Sequence, residues 1–333
     1  MNISEKSQKL IQKATKNHPN MKLTVAVYHK GQSEFKLFDK TGEIPYHSYF
    51  YEIGSITKVF TTSVLAKFVQ IGKMHLDDSV ANYFPELQQT QGLPTLKELA
   101  THTSGLNDWK NVNWKDGAKI VLNLLFKGDA TQAMELLKMD RGQMLDEITH
   151  ANLKKKGKWK YSNFGMALLG QAIAEVAGKS YSELMEDFFL ELDLHETFME
   201  SEVDGMLQGF NMKGKPVANW MLEEGRDLYE PAGAVTSNAE DLLAFGKHHL
   251  AENPNYLKMT HEPCNLKSPH SDMGLGWWID KKKPAIIYHG GNTQGYASML
   301  ALDKEKEAVV VLLSNVYYYA QREKLFEDIL ENL

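Results

Sequence analysis

The chain predicts an α+β fold: one antiparallel sheet built from both ends of the sequence, flanked by helices, with a second, mostly helical lobe between. Three observations carry this expectation. Alternating, β-branched segments occur near the start and again near the end. Between residues 55 and 234 the apolar spacing is helical or the sequence is loop-like. No internal repeat or low-complexity linker divides the 333 residues. The simplest packing therefore joins both strand sets in one sheet. It predicts a single domain with a sheet lobe (1–54 and 235–333) and a helical lobe (55–234). A small-molecule site is expected in the crevice between them.

Each element has its own signal. Residues 4–17 place Leu10, Ile11 and Ala14 at helical spacing between polar faces. Leu23-Thr24-Val25-Ala26-Val27-Tyr28 and Ser33-Glu34-Phe35-Lys36-Leu37-Phe38 alternate, and Lys30-Gly31-Gln32 turns the chain between them. That is a hairpin. From Ser55 the period lengthens: Val59, Phe60, Val64, Leu65, Phe68, Val69 and Ile71 predict a buried helix ending near Gly72. Residues 161–178 read as another largely apolar helix. Late strands are expected at Ala285-Ile286-Ile287-Tyr288, at 296–302 and at 308–313. The last run is continuously apolar, so its strand is expected to be central and buried on both faces. An amphipathic helix over 321–333 closes the chain.

Composition narrows the function. Hydrophobic residues are 43% and charged residues 24%, the ordinary globular balance. Thirty-seven basic against 43 acidic residues leave a net charge of −6, which argues against tracking nucleic-acid phosphates. The run Lys154-Lys155-Lys156 with Lys158 and Lys160 is short and reads as a solvated loop. The single cysteine, Cys264, can form neither an intrachain disulfide nor a thiolate zinc site. No stretch approaches a membrane span. The start, Met1-Asn2-Ile3-Ser4, leads into no apolar signal region. A cytoplasmic address is expected for the sequence as it stands, and export if a leader preceded it.

Three short patterns could carry chemistry. In Ser55-Ile56-Thr57-Lys58 the serine and lysine are three residues apart, on one face if they are helical. A serine hydroxyl needs a base to become a nucleophile, and a buried lysine can become that base only if its pKa falls by about three units. Ser33-Glu34-Phe35-Lys36 has the same spacing but lies in the hairpin, where such residues face opposite ways. Tyr161-Ser162-Asn163 joins a loop to a helix: its phenol can relay a proton, and its amide can accept from a lysine and donate to a substrate carbonyl. His289-Gly290-Gly291-Asn292 follows a predicted strand, where glycines admit a substrate backbone and an N–H can serve an oxyanion. His29-Lys30-Gly31 shows that His-x-Gly also arises by chance.

The order of the three patterns resembles the beta-lactamase-related serine hydrolases, which include penicillin-binding proteins, class C beta-lactamases, D-amino-acid-specific peptidases and esterases. Further phrases share the resemblance. They are Tyr51-Glu52-Ile53-Gly54 before the serine, Thr101-His102-Thr103-Ser104-Gly105-Leu106, Pro231-Ala232-Gly233 and Gly274-Leu275-Gly276-Trp277-Trp278. The likeness implies a beta-lactamase/transpeptidase-like fold over roughly residues 20–330. It implies Ser55 as the acylated nucleophile, Lys58 and Tyr161 as its proton relay, and Asn163 orienting the lysine and touching substrate. His289 would stand where many relatives carry a lysine. The amides of Ser55 and Asn292, beside Gly291, would form the oxyanion hole. The resemblance implies no metal and no cofactor, and a small molecule or short peptide as substrate. Histidine in the third pattern carries less permanent charge for a substrate carboxylate, which lowers the expectation of an efficient beta-lactamase. The expected function is an acyl-enzyme serine hydrolase acting on an ester or amide. A D-alanyl-D-alanine carboxypeptidase or penicillin-binding protein is the first alternative, and a non-catalytic peptide-binding or sensing module the second.

Other features are read as structural. His248-His249 is taken as a helix C-terminus with favourable cations, since adjacent helical residues rarely share a metal. His102 is taken as a loop packer near the site. Trp277-Trp278 and Tyr317-Tyr318-Tyr319 are taken as core aromatics, and residues 107–146 as a partly helical candidate lid.

Overall fold

The computed structural model describes residues 3–110, 138–200, 202–220, 227–268, 271–317 and 322–333. Helix α1 (Glu5–Asn17) leads into the hairpin β1 (Leu23–His29) and β2 (Gln32–Asp39), then β3 (Gly42–Ile44) and β4 (Tyr51–Glu52). A 3-10 turn, Gly54–Ile56, opens into α2 (Thr57–Gln70). The middle holds α3 (Leu96–Ala100), α4 (Arg141–Thr149), α5 (Asn163–Ala177), α6 (Tyr181–Glu191), β5 (Thr197–Phe198) and α7 (Glu230–Gly233). There follow β6 (Thr236–Ser237), α8 (Ala239–Ala251), β7 (Ser271–Met273), β8 (Trp278–Asp280), β9 (Ile286–Asn292), β10 (Ala297–Asp303), β11 (Ala308–Ser314) and α9 (Arg322–Glu331).

The two ends of the chain do meet in one sheet. Its order is β3-β2-β1-β11-β10-β9-β8-β7, and every pairing is antiparallel. The first long strand pairs with the last, from Leu23↔Ser314 to His29↔Ala308. Every residue of β11 is buried, as its unbroken apolar run predicts. Val25, Val310, Leu312 and Met299 face α1 and α9, whose Ile11, Leu325 and Ile329 complete that layer. Ala26, Val309, Val311 and Leu300 face the other way, toward the larger core that includes Leu242 and Phe245 of α8. That helix lies close because Gly246 has no side chain: a Cβ there would fall 2.5 Å from Val309 Cγ1.

Sequence periodicity missed the shortest elements. β3, β7 and β8 are three residues each and extend the sheet at its edges, while β4, β6 and β5 form a separate small sheet. Elements this short span barely one alternation, so they leave no pattern to read. Three boundaries also shift near the site. Ser55 sits on the 3-10 turn ahead of α2, Tyr161 precedes α5, and His289-Gly290-Gly291-Asn292 lies inside β9, not after it. Pairing with β10 carries the strand through both glycines, from Leu300↔His289 to Ala297↔Asn292. Among the described residues, no helix is long and apolar enough to cross a membrane.

Candidate active site

Two glycines bring the serine turn against the end of β9. Gly54 has φ +52, a conformation L side chains rarely adopt. A Cβ on it would fall 2.8 Å from the backbone N of Asn292. Gly291 is the reciprocal case: a Cβ there would lie 1.9 Å from Ile53 O and 2.9 Å from Ser55 N. The amides of Ser55 and Asn292 therefore border one contact between two backbones. Ser298 Oγ pins it by donating to Ile53 O over 2.7 Å. β8 pairs with β9 only at Trp278↔Tyr288 and Ile279↔Ile287. Among the described residues, the β9 edge from His289 to Asn292 has no strand neighbour on that side.

Ser55 is half-buried, and its hydroxyl is the meeting point of the cluster. Lys58 Nζ donates to Ser55 Oγ over 2.9 Å, and the Tyr161 hydroxyl donates to the same oxygen over 2.7 Å. The lysine also donates to Ala232 O at 2.5 Å. Its Nζ lies 5.0 Å from the centre of the Tyr161 ring. Lys58 is fully buried, and that burial lowers its pKa to about 7, with Asp108 pulling the other way. No second cation is needed for the shift. Near neutrality such an amine readily loses its proton, and it can then accept the serine proton instead of donating to its oxygen. Tyr161 moves the opposite way: burial raises its pKa, with a smaller push from Asp108, against the lowering bond to Ser55. The phenol is thus neutral, not a phenolate.

Asn163 is the first residue of α5, whose cap Ser162 accepts from Gly165 N over 2.8 Å. Its Nδ2 donates to Asp108 Oδ1 over 2.9 Å, and its backbone N donates to the same oxygen over 3.1 Å, while the Lys58 ammonium donates to Ser55 and Ala232. Asp108 is a residue that sequence reasoning missed. It is one acidic side chain among many, two residues beyond the Thr-Ser-Gly-Leu phrase, and only its contacts distinguish it.

His289 is buried in β9. Its Nδ1 donates to Gly290 O at 2.9 Å, which places the ring proton on Nδ1 and leaves Nε2 as a buried acceptor without a partner among the described residues. Burial, then the Lys58 charge and Arg322, push its pKa down to about 3. The imidazole is neutral here and supplies no cation. A fixed positive charge does lie nearby, unforeseen from sequence. Arg322, at the start of α9, donates through Nη1 to Gly291 O at 2.8 Å and Ser298 O at 2.9 Å, tying β9 to β10.

The weaker signals resolve individually. His249 is buried and neutral, bonded to His261 (3.0 Å) and Ser63 (3.2 Å), so it is not a helix-terminal cation. His248 instead bonds the backbone of Asn253 and Leu192. Trp277 is core, whereas Trp278 packs on the exposed ring of Trp159, with centroids 5.2 Å apart. Tyr318 and Tyr319 lie outside the described residues, as do residues 111–137 of the expected lid.

Comparison with known proteins shows the family and the fold. The family model described as Beta-lactamase matches residues 8–331. Protein flp of Staphylococcus aureus (strain MW2) is 26% identical over 281 residues, covering 80% of this chain and 53% of its own length. The chain thus spans about half the length of that curated relative. A class C beta lactamase from Rhodobacter sphaeroides superposes with a TM-score of 0.81 at 21% identity, covering 99% of each chain. A beta-lactamase/D-alanine carboxypeptidase from Pseudomonas syringae superposes at 0.79 with 20% identity, covering 98% of this chain and 99% of its own. At that identity the likeness is one of fold.

Proposed function

Because the chain belongs to the beta-lactamase family, whose members are serine hydrolases, we propose that it hydrolyses an ester or amide through an acyl-enzyme on Ser55. The observation that carries this reading is the double hydrogen bond to Ser55 Oγ from Lys58 and Tyr161, with the lysine brought to about 7. In the reaction, neutral Lys58, with Tyr161 as the bridge, takes the serine proton while Oγ attacks the substrate carbonyl. The oxyanion is received by the amides of Ser55 and Asn292, a contribution of about 3–4 kcal/mol per donor in comparable sites. The proton passes through Tyr161 to the leaving group. Water then attacks the acyl-enzyme by the reverse route and restores Ser55. No step calls on a metal or organic cofactor. The open edge of β9 suits an extended acyl group or short peptide.

Neutral His289 favours the peptidase and esterase chemistries over a carboxypeptidase that clamps a terminal carboxylate at that position. The test is the intact mass of the protein after incubation with benzylpenicillin or an activated ester, with Ser55→Ala as control. A Ser55-dependent adduct or ester turnover supports the reading. Wild-type protein that forms no adduct and consumes no ester refutes it and leaves the binding-module alternative.

A further inference from the structure

We propose that His102 is a positioning residue that aims the Tyr161 phenol at Ser55, an inference that rests on the acyl-enzyme reading above. Three consecutive residues of the 160–162 segment are held by this one side chain and its backbone. His102 O accepts from Lys160 N over 2.7 Å. His102 Nδ1 accepts from Ser162 N over 3.2 Å. Between those bonds the imidazole lies against the Tyr161 ring, with centroids 4.4 Å apart and planes inclined by 38°. One residue on, Thr103 O accepts from Gly157 N over 2.7 Å, so the same loop runs on along the segment that leads to the tyrosine.

His102 bears two costs that stability alone does not justify. Its φ is +55, the left-handed region that disfavours a residue with a Cβ. Its Nδ1 is an acceptor, so the ring proton sits on Nε2, and that buried atom has no partner among the described residues. A turn at positive φ is better served by glycine or asparagine, and a buried ring by an apolar one. The left-handed turn nevertheless brings the carbonyl and the ring nitrogen of one residue to bear on both sides of Tyr161. Strain kept in this way beside a reactive cluster points to a functional constraint. Burial, with a smaller contribution from Lys58, keeps the imidazole neutral, as an Nδ1 acceptor requires. Lys58 Nζ lies 5.0 Å from the centre of the same phenol ring.

The experiment is a double-mutant cycle with Tyr161→Phe, read on an ester that the wild-type chain hydrolyses. His102→Asn tolerates positive φ and keeps a side-chain acceptor near Ser162 N, but has no ring to set against the phenol. The expected result is a kcat lowered by about 10- to 100-fold with KM within about threefold, the size of a small misplacement of a catalytic group. In the Tyr161→Phe background the same substitution should change kcat by less than about threefold, since its only route of action has gone. Wild-type kcat in the single variant, or losses that multiply in the double, overturns the proposal. Should His102→Asn lose its circular dichroism signature, His102→Gln enters the same cycle. A wild-type chain that forms no Ser55 adduct and hydrolyses no ester overturns this proposal together with the hydrolase reading, whereas active wild type with additive variants overturns this one alone.

Discussion

Replacing Gly291 by alanine would test whether the oxyanion contact depends on two backbones touching. The new Cβ would stand 1.9 Å from Ile53 O, 2.5 Å from Ser298 Oγ and 2.9 Å from Ser55 N. Two of those atoms are backbone and cannot rotate aside. To reach even a tight 3.0 Å, Ile53 O must retreat by about 1 Å, and the bond it receives from Ser298 must stretch or break. The Ser55 amide follows that carbonyl by one residue, through Gly54, and is displaced with it. The amides of Ser55 and Asn292 then no longer converge on one oxygen. A misplacement of about 1 Å costs on the order of 10²-fold, and loss of one oxyanion donor about 10²- to 10³-fold in kcat. Overpacking should remove about 1–3 kcal/mol of stability without unfolding the chain. The assay is the stopped-flow acylation rate with a chromogenic ester, alongside thermal unfolding. Gly178→Ala is the control. That residue ends α5 at φ +67 with nothing within 4 Å of a Cβ, so it should lose about 1–2 kcal/mol of stability and keep wild-type acylation. Gly291→Ala acylating at the wild-type rate would refute the reasoning.

Two further outcomes concern charge. Asp108 raises the pKa of Lys58 against the larger lowering by burial. Asp108→Asn should therefore carry that pKa below about 7, and with the uncharged lysine as the base of the proposed mechanism, the rising acid limb of kcat/KM should move to lower pH; an unmoved or alkaline-shifted limb would show that Lys58 does not set it. His249 and His261 are held neutral, the first well below 6.5 and the second at about 3, chiefly by burial. The unfolded chain takes up protons below about 6.5 and these native side chains do not. Stability should fall as pH drops from 6.5 toward 3, by about 1.4 kcal/mol per pH unit for each group. Urea unfolding of His249→Phe between pH 6.5 and 5 should show a slope shallower by about that amount, and a slope equal to wild type would contradict the assignment.

What was legible in the sequence was local or periodic. The spacing of Ser55 and Lys58 survives a turn of 3-10 helix ahead of α2 because residues three apart share a face in either helix. The apolar run of β11 announced a strand buried on both faces, and two strand sets at opposite ends of the chain implied a sheet that joins them. The glycines at 290 and 291 flagged close approach, but not what approaches. That was decided by tertiary structure, because each decisive contact spans a long stretch of chain. Tyr161 reaches Ser55 across 106 residues, and Ala232 O reaches Lys58 across 174. Asp108 accepts from Asn163, Arg322 binds Gly291 from the start of the last helix, and His102 takes a backbone shape that no spacing rule anticipates. The pKa of Lys58 belongs to the same class. Its amine is ordinary in the sequence and falls to about 7 only when folding removes water from it, since desolvation is a property of everything packed around a charge and not of its neighbours in the chain.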